Sequence, residues 1–152
     1  MNYTKTIPLI VIPFLVTRAQ PPYAPKAERM VRNAVDYARH YGMEKVIQQT
    51  NLPQGQFHVG NGSGWYLFIL DRNGTLRASG YNPENHVGRN LMDQKDPDGK
   101  RYIRAFLETS MSNGSGWVDY CTISAPGNRM GPRTAYVEGY GNFTFGCGVC
   151  RE

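Results

Sequence analysis

The sequence predicts an α+β fold, in which an antiparallel sheet of about five to six strands carries a long N-terminal helix on one face and a loop–helix segment on the other. Three observations support this class. Apolar residues recur with a helical period between Ala27 and Tyr41, and an Asn73-Gly74 turn joins two strand-like runs. Strand-like segments then fill most of the chain after Gly116, with connections short enough for an antiparallel meander.

Two helices are predicted at the N-terminal side of the domain. The first has one apolar face and ends near Gly42. The second, from Met43 to Thr50, is shorter and turns Val46 and Ile47 inward. The apolar positions of the first helix are Ala27, Met30, Val31, Ala34, Val35, Ala38 and Tyr41.

A β-hairpin follows a loop at residues 51–64. Its strands are predicted from Trp65 to Leu70 and from Thr75 to Ala78, where apolar and β-branched residues are concentrated. Asn73-Gly74 lies between them. Both residues tolerate a positive φ, so the pair predicts a type I′ turn.

Residues 82–99 are rich in Asn, Asp and Pro and are predicted as loop. Asp98 is placed to cap the helix that follows, and Asn113-Gly114 is placed to end it. The apolar face of this helix is formed by Tyr102, Ile103, Phe106 and Leu107.

Three strands complete the predicted sheet. They span about residues 116–124, 133–140 and 142–150. The loop at 125–132 separates the first two, and Gly141 turns the chain between the last two.

Length and charge limit the function. The 152 residues predict one domain at 25–152, preceded by a signal peptide and linker at 1–24. No room is left for a separate output domain, so any signal would pass through a partner. The net charge of +5 does not indicate nucleic-acid binding, because the basic residues are scattered among acids and no recognition motif accompanies them. It favours an anionic small ligand.

The N-terminal segment resembles a secretory signal. Lys5 precedes an apolar run at residues 7–16, and small residues suited to cleavage follow at Ala19 and Ala24. The run is too short to span a membrane as a helix. We therefore expect a periplasmic or otherwise extracytoplasmic protein. Two alternatives stay open, namely an apolar strand or helix packed on the domain, and an uncleaved anchor.

Three cysteines are present, at Cys121, Cys147 and Cys150. The C-x-x-C spacing of the last two suggests redox or metal chemistry, but both cysteines are predicted on a terminal strand rather than at a helix N-terminus. A zinc site would need two further ligands that no second motif supplies. Buried strand cysteines are favoured, and a disulfide between neighbouring strands stays open.

The order of these features resembles the single Cache domain, the PAS-like extracytoplasmic sensor module of bacterial chemoreceptors and kinases. The second single-Cache subtype, which also occurs as a free periplasmic protein, is the most similar. The resemblance covers the chain from Lys26 to its C-terminus. It is carried by the hairpin, Asn82–Leu91, Asp93, Asp96, Asp98-Gly99, Gly116–Tyr120 and Tyr136-Val137.

This resemblance implies a small-molecule pocket between the sheet and residues 82–106. A long polar loop that lies over an aromatic sheet face independently predicts a concave site, with a few hydrogen-bond donors directed into it. Because Trp117 and Tyr120 point to opposite faces of one strand, at most one of them lines the pocket directly. The candidate ligand-binding residues are Tyr66, Phe68, Ser79, Trp117, Tyr120, Arg133 and Tyr136.

Two of these candidates depart from the family pattern. Arg133 stands where the family commonly has a lysine, and a guanidinium can hold a carboxylate through two parallel hydrogen bonds. Ser79 stands where the family often has a histidine. The loss of that titratable donor means that the family's usual ligand preference does not simply carry over.

Catalysis finds little support in the sequence, and no metal or cofactor is predicted. Neither Ser63 nor Ser115 fits the G-x-S-x-G pattern of a nucleophile turn. The aspartates that follow residue 92 lack the register and terminal glutamate of a calcium loop. The three histidines are scattered and have no adjacent nucleophile.

The sequence therefore predicts a non-enzymatic sensor of a small organic anion, such as a short-chain carboxylate, acting in signal transduction or chemotaxis through a membrane receptor partner. One alternative is a structural module without a ligand, forming a homodimer through its N-terminal helix. A less favoured alternative is a thiol-dependent enzyme using Cys147 or Cys150.

Overall fold

A computed structural model describes residues 20–57, 65–124 and 129–151. Of the predicted signal peptide and linker at 1–24, residues 1–19 lie outside the described residues. Within the described ranges, none of the helices combines the length and apolar character that crossing a bilayer requires. The elements are α1 (Ala24–Tyr41), α2 (Met43–Asn51), β1 (Leu67–Asp71), β2 (Leu76–Ser79), α3 (Pro83–His86), α4 (Tyr102–Asn113), β3 (Ser115–Ser124), β4 (Arg129–Tyr140) and β5 (Phe143–Cys150).

The described strands form one five-stranded sheet in the order β2-β1-β5-β4-β3. Every neighbouring pair is antiparallel, and the C-terminal strand β5 lies in the centre between β1 and β4. Gly141, with φ of +57°, makes the tight turn that joins β4 to β5. The predicted α+β class is confirmed.

Helix α1 covers one face of the sheet. Its buried residues recur every three or four positions, as in Ala27, Val31 and Ala34, and they pack on Ile69 and Phe145. Its end was predicted correctly, since Gly42 follows the helix with φ of +91°. We call this surface of the sheet the α1 face.

Helix α4 packs on the opposite face, which we call the pocket face. Phe106 and Leu107 of α4 lie in one apolar cluster with Phe68, Val118 and Val137 of the sheet. Because side chains alternate along a strand, odd and even positions of β3, β4 and β5 divide strictly between the two faces. This division decides which candidate residues reach the cavity.

The loop that precedes α4 differs from the prediction. No described side chain caps the helix, so the predicted cap at Asp98 is wrong. The nearby Asp96 is used instead: its Oδ1 accepts hydrogen bonds from the backbone of Asp98 at 3.0 Å and of Lys100 at 2.9 Å. Its Oδ2 accepts from the backbone of Cys121 at 3.3 Å. Asp96 thereby ties the loop to β3.

The hairpin is confirmed, but its predicted type I′ turn is wrong. Of the two turn residues, only Gly74 has a positive φ, of +81°. The Asp71 carboxylate accepts hydrogen bonds from the backbone of Asn73 at 2.9 Å and of Thr75 at 3.1 Å. The register of β1 and β2 then shifts between Ile69 and Leu70. An Asp side chain bonded to its own turn therefore overrides the Asn-Gly preference.

The predicted loop at 82–99 contains one short helix, α3. Asn82 precedes it in the left-handed region, with φ of +42°, a conformation that Asn tolerates better than most residues. The backbone nitrogen of Leu91 then donates to the carbonyl of Gly74 at 2.9 Å. The segment is thus folded back against the hairpin and lies over the pocket face.

Candidate functional site

A cavity of about 370 Å³ lies between the pocket face of the sheet and the segment that runs from β2 to α4. Its walls mix aliphatic, aromatic and polar side chains. The lining residues are Tyr66, Phe68, Leu70, Leu76, Ser79, Tyr81, Asn82, His86, Arg89, Leu91, Gln94, Tyr102, Ile103, Phe106, Tyr120, Thr122, Ile123, Arg133 and Gly148.

Arg133 is the most deeply placed charge in this cavity, with an exposed fraction of 4%. Its Nη2 donates to the carbonyl of Gly148 at 2.9 Å, and its Nη1 donates to Sγ of Cys150 at 3.7 Å. Burial lowers the pKa of the guanidinium, but a hydrogen bond with Tyr120 and the nearby phenol and thiol groups of Tyr120, Cys150 and Tyr66 together outweigh that effect, so the pKa is raised overall. The cavity therefore holds a permanent cation.

Two tyrosines accompany this cation. Burial raises the pKa of Tyr120 and of Tyr66, and the positive charge of Arg133 only partly offsets the effect. Both phenols therefore remain protonated at neutral pH and can each donate a hydrogen bond. Arg133, Tyr66 and Tyr120 form what we call the polar end of the cavity.

Two glycines on β5 make room for the aromatic rings above them. Gly146 and Gly148 are two residues apart and therefore face the same side of the sheet. A Cβ at Gly146 would overlap the ring of Phe68, and one at Gly148 would overlap the Tyr120 hydroxyl. Neither glycine was predicted from the sequence as part of the site. Their alternate spacing within an otherwise apolar strand is the signal that could have identified a close approach.

Aromatic rings form two walls of the cavity. On the α4 side, the ring of Tyr120 stacks on Tyr102 at 5.1 Å and meets Phe106 edge-on, also at 5.1 Å. On the loop side, Tyr66 stacks on Tyr81 at 5.5 Å, and Tyr81 stacks on His86 at 6.2 Å. Tyr81, His86 and Tyr102 were not among the predicted site residues. They lie in the segment that follows β2 and at the start of α4, and the periodicity of a sequence does not determine where such segments are placed.

Ser79 also lines the cavity, as expected, but its hydroxyl is bonded to the neighbouring backbone. The Oγ donates to the carbonyl of Tyr81 at 2.7 Å and accepts from the backbone nitrogen of Tyr81 at 3.1 Å. The backbone of Ser79 is itself held by the Asn51 side chain at 2.9 Å. Ser79 thus positions Tyr81 at the cavity wall.

Trp117 and Tyr136 are placed differently from the prediction. Neither lines this cavity; both pack under α1, with their ring centroids 5.4 Å apart. Each lies three residues from a cavity residue on its own strand, Trp117 from Tyr120 and Tyr136 from Arg133. An odd offset along a strand points the side chain to the other face. The structure therefore brings together five of the seven candidates: Tyr66, Phe68, Ser79, Tyr120 and Arg133.

The described lining of the cavity is electropositive. Arg133 and Arg89 belong to it, whereas no Asp or Glu is found among the described lining residues. A cation entering this site would meet a buried guanidinium of like charge. An anion would meet complementary charge and phenolic donors in a partly desolvated setting, where such interactions are strengthened.

The cysteines and aspartates form no second site in the described part of the chain. There, no group of three or more His, Cys, Asp or Glu side chains is arranged to hold a metal ion. Cys147 lies on the α1 face in the apolar core and Cys150 on the pocket face beside Arg133, so neither can reach the other through the sheet. All three thiols are free.

Comparison with known proteins identifies the relatives of this fold. Residues 28–149 match the family model described as Single Cache domain 2. A search of curated proteins by sequence gives no match. Among solved structures, a methyl-accepting chemotaxis protein from Vibrio parahaemolyticus superposes with a TM-score of 0.68 at 17% identity, covering 83% of this chain and 86% of that one.

Two further solved structures are similar. A periplasmic sensor domain of a chemotaxis protein gives a TM-score of 0.60 at 20% identity, covering 84% of this chain and 90% of that one. A Cache chemosensory domain described for its carboxylic acid recognition gives a TM-score of 0.64 at 18% identity, covering 84% and 92% respectively. These likenesses confirm the predicted PAS-like fold.

Proposed function

The chain belongs to the Single Cache domain 2 family of extracytoplasmic ligand-sensing modules, and from that premise we propose that its cavity binds a small organic anion, with short-chain carboxylates the first class to test. The single observation that carries the proposal is the buried guanidinium of Arg133 in a cavity whose described lining includes no carboxylate. The family membership confirms the resemblance seen in the sequence.

The chemistry of the polar end favours a carboxylate. A guanidinium presents donors in a planar fork that matches two carboxylate oxygens, and charge-assisted bonds of this kind are about twice as strong as neutral ones. The protonated phenols of Tyr66 and Tyr120 line the same cavity and supply further donors. One structural neighbour, a Cache chemosensory domain, recognises carboxylic acids, which supports testing that class first.

Calorimetric titration of the purified protein with acetate, propionate and pyruvate tests the proposal, with the corresponding amines as controls. We expect binding of at least one acid and of none of the amines. Arg133→Gln should weaken binding roughly tenfold to hundredfold, because a hydrogen bond to a charged group contributes about 1.5–3 kcal/mol. Arg77→Gln, a matched change at an exposed arginine paired with Asp71, should leave affinity unchanged.

Two results would contradict the proposal. The first is a well-folded protein that binds no organic anion. The second is an Arg133→Gln variant that binds as tightly as the wild type while its circular dichroism spectrum and melting temperature show an intact fold. The second result would show that the protein binds an anion but that the charge of Arg133 is not what holds it.

We also propose that the protein acts outside the cytoplasm and reports its ligand to a membrane receptor. Ala24 is 2% exposed and begins α1, so cleavage after Ala19 would preserve the described domain, whereas cleavage after Ala24 would remove a packed residue. The N-terminal sequence of the protein recovered from the periplasm of an expressing bacterium tests this. A mature chain starting at Gln20 is expected, and an intact Met1 in the cytoplasmic fraction would contradict it.

A further inference from the structure

The cavity has a second end that differs chemically from the polar end. Leu70, Leu76, Leu91 and Ile103 line this region and belong to the apolar cluster of the pocket face. We call these four residues the apolar end. The cavity is therefore amphipathic along its length, and this property goes beyond the attraction of an anion to Arg133.

The sheet register separates the two ends. Leu67 pairs with Cys147, so Tyr66 lies level with Gly148, whose carbonyl accepts the hydrogen bond from Arg133. Leu70 pairs with Thr144, four residues further along the same strand. At about 3.3 Å per residue, the polar and apolar ends are roughly 13 Å apart along the sheet.

The passage between the ends is lined by aromatic rings. Phe68 lies between Tyr66 and Leu70 on the pocket face of β1, and its ring stacks on Phe106 of α4 at 5.4 Å. Both rings line the cavity. At the far end Leu70 and Leu76 pair across β1 and β2, and Leu91 and Ile103 lie over them. The walls that β1, β2 and α4 contribute beyond the tyrosines are therefore apolar, while Arg89, whose carbonyl accepts a hydrogen bond from the backbone nitrogen of Leu76 at 3.0 Å, also lines the cavity.

We propose that the ligand is an amphipathic monocarboxylate: its carboxylate lies at Arg133, and an unbranched apolar tail extends past Phe68 to Leu70 and Leu76. This inference rests on the proposed function and specifies the ligand class of the same site. A two- or three-carbon acid would occupy the polar end and leave the apolar end unused.

Calorimetric titration of the full chain with the straight-chain acids from acetate to hexanoate tests the inference. Each added methylene that enters the apolar end should tighten binding about fourfold, the change that corresponds to about 0.8 kcal/mol per buried CH₂. Hexanol and hexylamine serve as probes that have the tail without the carboxylate. Both should bind at least tenfold more weakly than hexanoate.

A pair of leucine variants locates the tail. Leu91→Ala removes apolar surface from the cavity at a half-buried position and should weaken hexanoate binding several-fold without changing acetate binding. Leu52→Ala is the matched control, because Leu52 is 44% exposed and lies after α2, away from the cavity lining. It should change neither affinity.

The outcomes separate this inference from the function on which it rests. If none of the acids binds the folded protein, the proposed function fails and the inference with it. If acetate and hexanoate bind equally well, or acetate binds more tightly, the anion function stands and the amphipathic ligand is overturned. A chain-length dependence that Leu91→Ala leaves intact would place the tail elsewhere and would also overturn the inference.

Discussion

The hydroxyl of Tyr120 lies over Gly148, in the space that a Cβ on that residue would occupy. The same glycine accepts the hydrogen bond from Nη2 of Arg133 at 2.9 Å. A residue without a side chain on the central strand therefore determines where the phenol and the guanidinium meet. The polar end of the cavity depends on this one backbone position.

Replacing Gly148 tests that dependence. Gly148→Ala should weaken carboxylate binding at least tenfold, because the Tyr120 hydroxyl and the neighbouring guanidinium must both move. Overpacking of this kind also lowers the free energy of unfolding, by about 1–3 kcal/mol. Gly131→Ala on β4 is the control, since a Cβ there would meet nothing within 4 Å. Equal affinities of the two variants in calorimetry would show that Gly148 does not shape the site.

The division of the sheet into two faces predicts opposite behaviour of two tyrosines. Tyr120→Phe removes a phenol from the polar end and should weaken carboxylate binding roughly tenfold, the loss expected for one hydrogen bond to a charged group. Tyr136→Phe removes a phenol from the α1 face and should leave binding unchanged. Titration of both variants with the same acid checks this. A large effect of Tyr136→Phe alone would contradict the assignment of the faces.

Asp96 and Asp98 provide a matched pair for stability. Asp96 is 8% exposed and accepts three backbone hydrogen bonds, so Asp96→Ala should lower the free energy of unfolding by about 1–3 kcal/mol or more. Asp98→Ala should change it by less than about 0.5 kcal/mol, because the exposed side chain does not cap α4. Urea denaturation measures both. A larger loss at Asp98 would restore the capping role that the sequence predicts.

Stability should decline at alkaline pH, in part through Cys147. Burial raises the pKa of this thiol to about 12 from an ordinary value of 9.0. The unfolded thiol ionises first, so the contribution is fully present below pH 9 and is lost as the pH rises toward 12. Cys147→Ala should reduce the slope of unfolding free energy against pH by up to about 1.4 kcal/mol per pH unit. Identical slopes in urea denaturation between pH 8 and 11 would contradict this.

Much of the fold could be predicted because it depends on local signals. The period of α1, the glycine that ends it and the hairpin around Gly74 are all visible in short windows of sequence. The turn type was wrong because the Asp71 side chain bonds to the backbone of its own turn, a local preference that competes with that of the Asn-Gly pair. The cap predicted at Asp98 was wrong for a different reason: the loop before α4 is held by Asp96, which also bonds to Cys121 of β3, a contact between residues far apart in the sequence.

The cavity was harder to predict because it depends on which face each side chain takes. The alternation of side chains along a strand could have assigned Arg133 and Tyr136 to opposite faces, as it did for Tyr120 and Trp117. The two members of each pair are three residues apart on one strand. Alternation alone does not say which member of a pair faces the cavity. That depends on where α1 and α4 pack. Tyr81 and His86 reach the cavity wall through loop geometry that no periodicity encodes.

A crystal structure of the protein bound to a carboxylate tests the central claim most directly. We expect electron density for the ligand between the sheet and the α3–α4 segment, with its carboxylate oxygens within hydrogen-bond distance of the Arg133 guanidinium and beside the Tyr120 hydroxyl. A ligand bound elsewhere, or one whose carboxylate points away from Arg133, would contradict the account.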